Sequence, residues 1–178
     1  MECARCHSEL VEGAAYCPHC GSPQPNAPSY DDFNYTAFIS YRHREPDANV
    51  AKRLHRALET FELPAELAHE RGTRRLGRVF RDEDELPATG CLPDSIRSAL
   101  ERSEALVVVC SPHTPDSRWV QQEIELFASL HGRNRVFCVL AEGSSAESLP
   151  DILRYRTELL EDGTTLGNTI TSNRNLTI

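Results

Sequence analysis

The chain of 178 residues has room for one domain of ordinary size and a small additional module, which excludes an enzyme with separate cofactor and substrate domains. A hydrophobic content of 39% and a charged content of 26% are typical of a chain that forms one core. With 19 basic against 27 acidic residues the net charge is −8. The chain therefore lacks the excess of positive charge that would favour a nucleic-acid duplex as its main partner. The longest apolar run, Ala105 to Cys110, is far shorter than the roughly 20 residues of a membrane span, and the start of the chain does not resemble a signal peptide. We therefore expect a cytoplasmic protein that makes no use of a membrane.

Four of the seven cysteines lie near the start of the chain as two CxxC pairs: Cys3, Cys6, Cys17 and Cys20. Four thiolates at this spacing can complete a tetrahedral shell around zinc, and the metal would stabilise a segment too short to form a core. A thioredoxin-like redox pair is the alternative, but it requires a strand before the CxxC and a helix after it. The sequence predicts a structural zinc ribbon over residues 1–21 and a Pro-rich linker over residues 22–33.

After the linker, short β-rich runs alternate with segments of helical periodicity. Strands are predicted at residues 36–41, 78–80, 106–110 and 136–140, and helices at residues 47–61, 92–100 and 119–131. On the first helix the apolar face comprises Val50, Leu54, Leu58 and Phe61. This alternation predicts an α/β domain with a parallel sheet flanked by helices, in which ligands bind beyond the carboxyl ends of the strands. Neither a GxGxxG nor a GxxxxGK[ST] motif occurs, so a Rossmann or P-loop nucleotide site is not supported.

Four sequence segments carry a resemblance to a known family. In order they are FISYRH at 38–43, FRDEDELPATG at 80–90, VVVCSP at 107–112 and SRWVQQEIELF at 117–127. They resemble the successive boxes of a bacterial TIR domain, which implies a flavodoxin-like sheet over residues 34–163. Residues 164–178 show no helical period and depart from the family, so an irregular or truncated tail is expected there. The last elements of the family are either missing or replaced by a short strand and a tail.

The resemblance also implies a catalytic residue. TIR enzymes that cleave NAD⁺ carry a glutamate in a helical WxxxE pattern, which corresponds here to Trp119 and Glu123. These residues are one helical turn apart and share one edge of the helix. An anion there would stabilise the oxocarbenium-like transition state, while nicotinamide leaves as a neutral molecule and needs no general acid. The alternative is that Glu123 is a solvated helix residue and that Trp119 anchors the core.

Further substrate-binding residues are implied by the same resemblance. They are Ser40, Tyr41, Arg42, Phe80, Asp82, Ser111 and Trp119. The Arg42 guanidinium would pair with the pyrophosphate, and Phe80 and Asp82 would border the nicotinamide end. The alternatives are a strand end with a solvated basic turn at Ser40 to Arg42, and a simple turn cap at Ser111.

We accordingly expect an NAD⁺ nucleosidase that hydrolyses or cyclises NAD⁺ in bacterial defence signalling, with a structural Zn²⁺. Self-association is also implied, with the loop Arg81 to Gly90 of one copy completing the cleft of the next. Two alternatives stay open: a non-catalytic TIR adaptor, and a protein that senses a nucleic acid or a partner protein through its ribbon.

Overall fold

The computed structural model describes the backbone of residues 2–10, 16–17, 22, 24–25, 33–82, 92–159, 165–170 and 175–177, and side chains as far as Arg154. Within these residues the longer helices are α1 (Asp47–Glu59), α2 (Ala65–Arg71), α3 (Asp94–Glu101) and α4 (Arg118–His131), followed by the short α5 (Ser145–Ser148) and α6 (Asp151–Arg154). The strands are β1 (Tyr35–Ser40), β2 (Val79–Arg81), β3 (Ser103–Cys110), β4 (Val136–Leu140), β5 (Tyr155–Leu159), β6 (Thr165–Ile170) and β7 (Asn175–Thr177).

A parallel five-stranded sheet organises the domain. Its order is β2-β1-β3-β4-β7, and each neighbouring pair runs parallel. Ser40 pairs with Val108 and Cys110 pairs with Leu140, so the carboxyl ends of the central strands meet at one edge. The order and direction confirm the predicted flavodoxin-like α/β fold.

Both faces of the sheet are covered. Because side chains alternate along a strand, Phe38 packs on one face with α3 and α4, whereas Ala37 and Ile39 pack on the other with α1. On β3, Leu106 and Val109 lie in these two different core clusters and are both fully buried. Coverage of both faces explains why β3 reads as a continuous apolar run in the sequence.

The helices differ from the sequence-based prediction at two places, the end of α1 and the additional helix α2. The first helix ends at Glu59, before Phe61, whose side chain is 50% exposed and does not extend the apolar face. After Thr60 the backbone pairs with the segment before β2 instead, since the Leu63 amide donates to the Arg74 carbonyl and the Leu76 amide donates to the Phe61 carbonyl. Helix α2 was not predicted because it has no buried residue and therefore no apolar stripe.

The described carboxyl-terminal residues contain two strands, β6 and β7, within the segment for which an irregular or truncated tail, with a short strand as one alternative, was predicted. β6 pairs antiparallel with β5, and β7 pairs parallel with β4 at the edge of the main sheet. A three-residue strand such as β7 depends on hydrogen bonds to its neighbour rather than on its own pattern, so the absence of helical periodicity did not reveal it.

The cysteine-containing segment contacts the end of α4. The Arg135 guanidinium lies 4.3 Å from the centroid of the Tyr16 ring and 5.7 Å from that of Phe33. Tyr16 is only 5% exposed, and its ring also lies near the ring of His131. Among the described helices, none has the length and apolar character required to cross a membrane.

Candidate active site

A cleft of about 320 Å³ opens at the carboxyl edge of the sheet. Its walls come from the segment after β1 and from the first turns of α4. The lining residues are Tyr41, Arg42, His43, Arg44, Ser117, Trp119 and Glu123. This is the edge at which parallel α/β sheets bind ligands, as the strand pattern predicts.

The amphipathic character of α4 positions Glu123. Val120, Ile124 and Phe127 are buried in the core and fix the rotation of the helix. Trp119 and Glu123 then line the same cleft from adjacent turns. Glu123 is only 4% exposed, which is incompatible with a solvated surface residue.

The electrostatic environment of Glu123 is unusual for a carboxyl group. Burial raises its pKa to about 8, a hydrogen bond from Ser40 opposes this shift, and the nearby charge of Asp82 adds to it. The Ser40 hydroxyl donates that bond to Glu123 Oε2 over 2.5 Å. A cation entering the cleft would favour the ionised carboxylate, because an opposite charge at short range lowers the pKa of an acid.

Tyr41 connects the end of β1 to the segment after β2. Its hydroxyl donates to the backbone carbonyl of Asp82 over 2.5 Å and accepts from Arg81 Nη1 over 3.2 Å. The Tyr41 ring also stacks on His43, with centroids 4.6 Å apart. These contacts hold the aromatic ring at the cleft wall.

Four of the predicted substrate-binding residues are not among those that line the cleft: Ser40, Phe80, Asp82 and Ser111. Ser40 and Asp82 contact the lining residues Glu123 and Tyr41 through hydrogen bonds, whereas Phe80 and Ser111 have other partners. The Phe80 ring stacks on Phe38 with centroids 5.1 Å apart and meets Tyr35 edge to face, so it packs against the core. Ser111 is fully buried, and its hydroxyl donates to Asp47 Oδ2 over 3.0 Å. Residues 83–90 of the predicted loop lie outside the described residues.

Sequence reasoning missed Asp47, which is fully buried beside the cleft and lies 4.0 Å from Arg42 Nη1. It also missed Arg44 and Ser117, which line the cleft. For Asp47 the available signal was its place directly after Pro46 at the start of α1. An acidic residue in the first turn usually indicates only a favourable helix terminus.

The cysteine cluster is a candidate metal centre. The thiols of Cys3, Cys6 and Cys17 all lie within 4.8 Å of one another, and Cys6 Sγ is 3.5 Å from Cys17 Sγ. The Arg5 amide donates to Cys3 Sγ, and a hydrogen bond with the Ser22 hydroxyl lowers the pKa of Cys3 to about 5, which favours the thiolate that a metal requires. Soft thiolates at this separation suit zinc, and Cys20 lies outside the described residues.

The amino-acid sequence of the chain matches a family model and a named relative. A relative named NAD(+) hydrolase ApTIR, from Actinoplanes sp., is 38% identical over 109 residues, which is 61% of this chain and 14% of the relative. The chain thus spans about a seventh of that protein's length. The TIR domains of the activated Roq1 resistosome that recognises the effector XopQ align with a TM-score of 0.40 and 22% identity, over 60% of this chain and 57% of that one. A family model described as TIR domain matches residues 37–162, and the chain therefore belongs to the TIR domain family.

Proposed function

We propose that the chain cleaves the bond between nicotinamide and ribose in NAD⁺, with Glu123 as the catalytic residue. The observation that carries this proposal is a nearly buried carboxyl group, in a cleft that also presents an aromatic wall at Trp119 and a guanidinium at Arg42. The relative named as an NAD(+) hydrolase supports the choice of substrate.

The proposed chemistry requires one carboxylate. As the C1′–N bond breaks, its electron pair goes to the pyridinium nitrogen, nicotinamide leaves as a neutral molecule, and positive charge develops on the ribose. Ionised Glu123 stabilises that charge from a nearly buried position, where electrostatic interactions are stronger than in bulk water. Attack of water at C1′ then gives ADP-ribose and a proton, whereas attack by a group of the substrate itself gives a cyclic product.

The remaining residues bind and orient the dinucleotide. Arg42 pairs with the diphosphate, and the rings of Trp119 and Tyr41 provide apolar walls for the nicotinamide and ribose. Ser40 orients the Glu123 carboxylate through its short hydrogen bond. Asp82 borders the nicotinamide end, and its negative charge reinforces that of Glu123 toward the pyridinium.

Incubation of concentrated protein with NAD⁺ tests this function directly. Free nicotinamide should appear together with ADP-ribose or a cyclic isomer, and chromatography of the products should identify the reaction. The absence of nicotinamide at every protein concentration would contradict the enzyme and favour the non-catalytic adaptor.

Self-association is proposed as the activating step. If the loop Arg81 to Gly90 of one copy completes the cleft of another, only associated copies are competent, and dilution lowers the competent fraction. Specific activity should therefore rise with protein concentration, in parallel with the oligomer fraction measured by light scattering. Leu86→Asp in this loop should reduce both readouts, whereas Glu123→Ala should leave assembly intact. A dilute monomer with full activity would contradict this proposal but not the catalytic one.

A structural zinc ion is proposed at the amino-terminal cysteines. Cys3, Cys6 and Cys17 would hold it together with Cys20, and the ion would stabilise the segment without entering the chemistry. Elemental analysis of the purified chain should give one zinc per chain, and Cys3→Ser with Cys6→Ser should remove it. Cys110→Ser and Cys138→Ser are suitable controls, because these buried cysteines belong to β3 and β4 and are not part of the thiol cluster. A folded amino terminus without zinc would contradict this assignment.

The biological setting is proposed from the family alone. The resemblance to bacterial TIR domains suggests defence signalling, and recognition of a protein or nucleic acid by the ribbon is a separate hypothesis. Binding of DNA or RNA that weakens steeply with salt would support a sensing role for the ribbon.

A further inference from the structure

A buried polar group next to the cleft has no part in the reaction described above. Asp47 is the first residue of α1 and is fully buried. An ionised carboxylate in such a place is costly unless other groups compensate it. Burial raises its pKa, while the hydrogen bond from Ser111 and the charge of Arg42 favour the ionised form.

The contacts of Asp47 join two loops at the carboxyl edge of the sheet. The Ser111 hydroxyl, directly after β3, donates to Asp47 Oδ2 over 3.0 Å. The same oxygen lies 4.0 Å from Nη1 of Arg42, which follows β1 and lines the cleft. The Ser111 amide in turn donates to Thr114 Oγ1 over 2.8 Å, so this side of the carboxylate is held rigidly.

The hydrogen-bonding capacity of Asp47 and Arg42 is not fully used. Within the described part of the chain, Arg42 Nη1 and Asp47 Oδ1 are both buried and have no hydrogen-bond partner. Arg42 Nη1 is thus held near the buried carboxylate, while the Arg42 side chain remains 19% exposed and lines the cleft, where its other N–H donors are available to a ligand. A guanidinium held in this way loses less conformational entropy when it pairs with an anionic ligand.

We propose that Asp47 is a positioning residue, which orients Arg42 in the cleft so that its guanidinium binds the diphosphate of the ligand. This inference rests on the proposed function for the identity of the ligand. Asp47 acts only through Arg42, and Ser111 holds Asp47 in place.

A double-mutant cycle on the affinity for ADP-ribose tests the inference. ADP-ribose contains the diphosphate but not the bond that is cleaved, so its binding to the full chain can be measured by calorimetry whether or not NAD⁺ is turned over. Asp47→Asn should raise the Kd about tenfold in the wild-type background and less than twofold in an Arg42→Ala background. In the kinetic assay the same variant should raise KM for NAD⁺ about tenfold and change kcat less than threefold, because it weakens binding equally in the ground and transition states.

The outcomes separate this inference from the proposed function. An equal loss of affinity in both backgrounds would indicate a merely structural role for Asp47 and overturn the inference, as would failure of the wild-type chain to bind millimolar ADP-ribose. An Arg42-dependent loss without any NAD⁺ cleavage would support the inference and overturn only the proposed function. Should Asp47→Asn fail to fold, Ser111→Ala carries the same cycle, because it releases Asp47; its loss of affinity must again disappear when Arg42 is replaced.

Discussion

Replacement of Glu123 by alanine should nearly abolish nicotinamide release, with a loss in kcat of about 10²–10³-fold. The variant removes the anion that stabilises the developing charge, and loss of one preorganised electrostatic group typically costs about 10²–10³-fold. The measurement is nicotinamide release under single-turnover conditions with saturating NAD⁺. Glu125→Ala is the matched control, since Glu125 is exposed two residues away on the same helix and should retain full activity.

Glu123→Gln distinguishes charge from shape. The amide keeps the size of the side chain and can accept the hydrogen bond from Ser40, but it cannot ionise. It should be as inactive as the alanine variant, and kcat/KM of the wild-type chain should rise with pH up to about 8, the pKa of Glu123. Full NAD⁺ cleavage by either variant would show that Glu123 is not the catalytic residue.

Glu123→Gln should also stabilise the protein at neutral and alkaline pH. The pKa of Glu123 rises from 4.5 to about 8 on folding, so the folded state binds the proton more tightly than the unfolded state. The contribution of Glu123 to stability is thus fully present below pH 4.5 and is lost as the pH rises through about 8. The difference in free energy of unfolding between the variant and the wild type should shift by roughly 3–4 kcal/mol in favour of the variant as the pH rises from 5 to 9.

Chemical denaturation at several pH values measures this difference, and titrating groups common to both proteins cancel in the comparison. Glu125→Gln should show a difference below about 0.5 kcal/mol throughout, as is usual for an exposed position. If the stability difference between Glu123→Gln and the wild type were the same at pH 5 and pH 9, the raised pKa of Glu123 would be contradicted. The ionised Glu123 carboxylate would thus reduce the stability of the fold, in agreement with the general trade-off between stability and activity at functional sites.

The fold was largely predictable because its signals are local. β3 and β4 are apolar runs of strand length, and α4 carries a helical stripe, so the parallel α/β class followed from periodicity alone. α2 and β7 were not predictable. α2 has no buried residue, and β7 depends on hydrogen bonds to β4.

The candidate site was predictable in its position but not in its electrostatics. The WxxxE spacing by itself placed Trp119 and Glu123 on one edge of a helix, because a helix brings residues four apart to the same side. The sequence also contains two CxxC pairs that predict a zinc ribbon, and its strand pattern predicted a ligand cleft at the carboxyl edge of a parallel sheet.

Only the tertiary structure decided which polar groups share that edge. The hydrogen bond between Ser40 and Glu123 joins residues 83 positions apart, and the one between Ser111 and Asp47 joins residues 64 apart. The pKa of Glu123 likewise depends on burial beneath segments from distant parts of the chain. Phe80 was assigned to the substrate site but packs on Phe38, because parallel pairing of β1 with β2 aligns these two rings on one face of the sheet. Spacing along the chain contains no information on such contacts, which exist only once the strands have taken their order in the sheet.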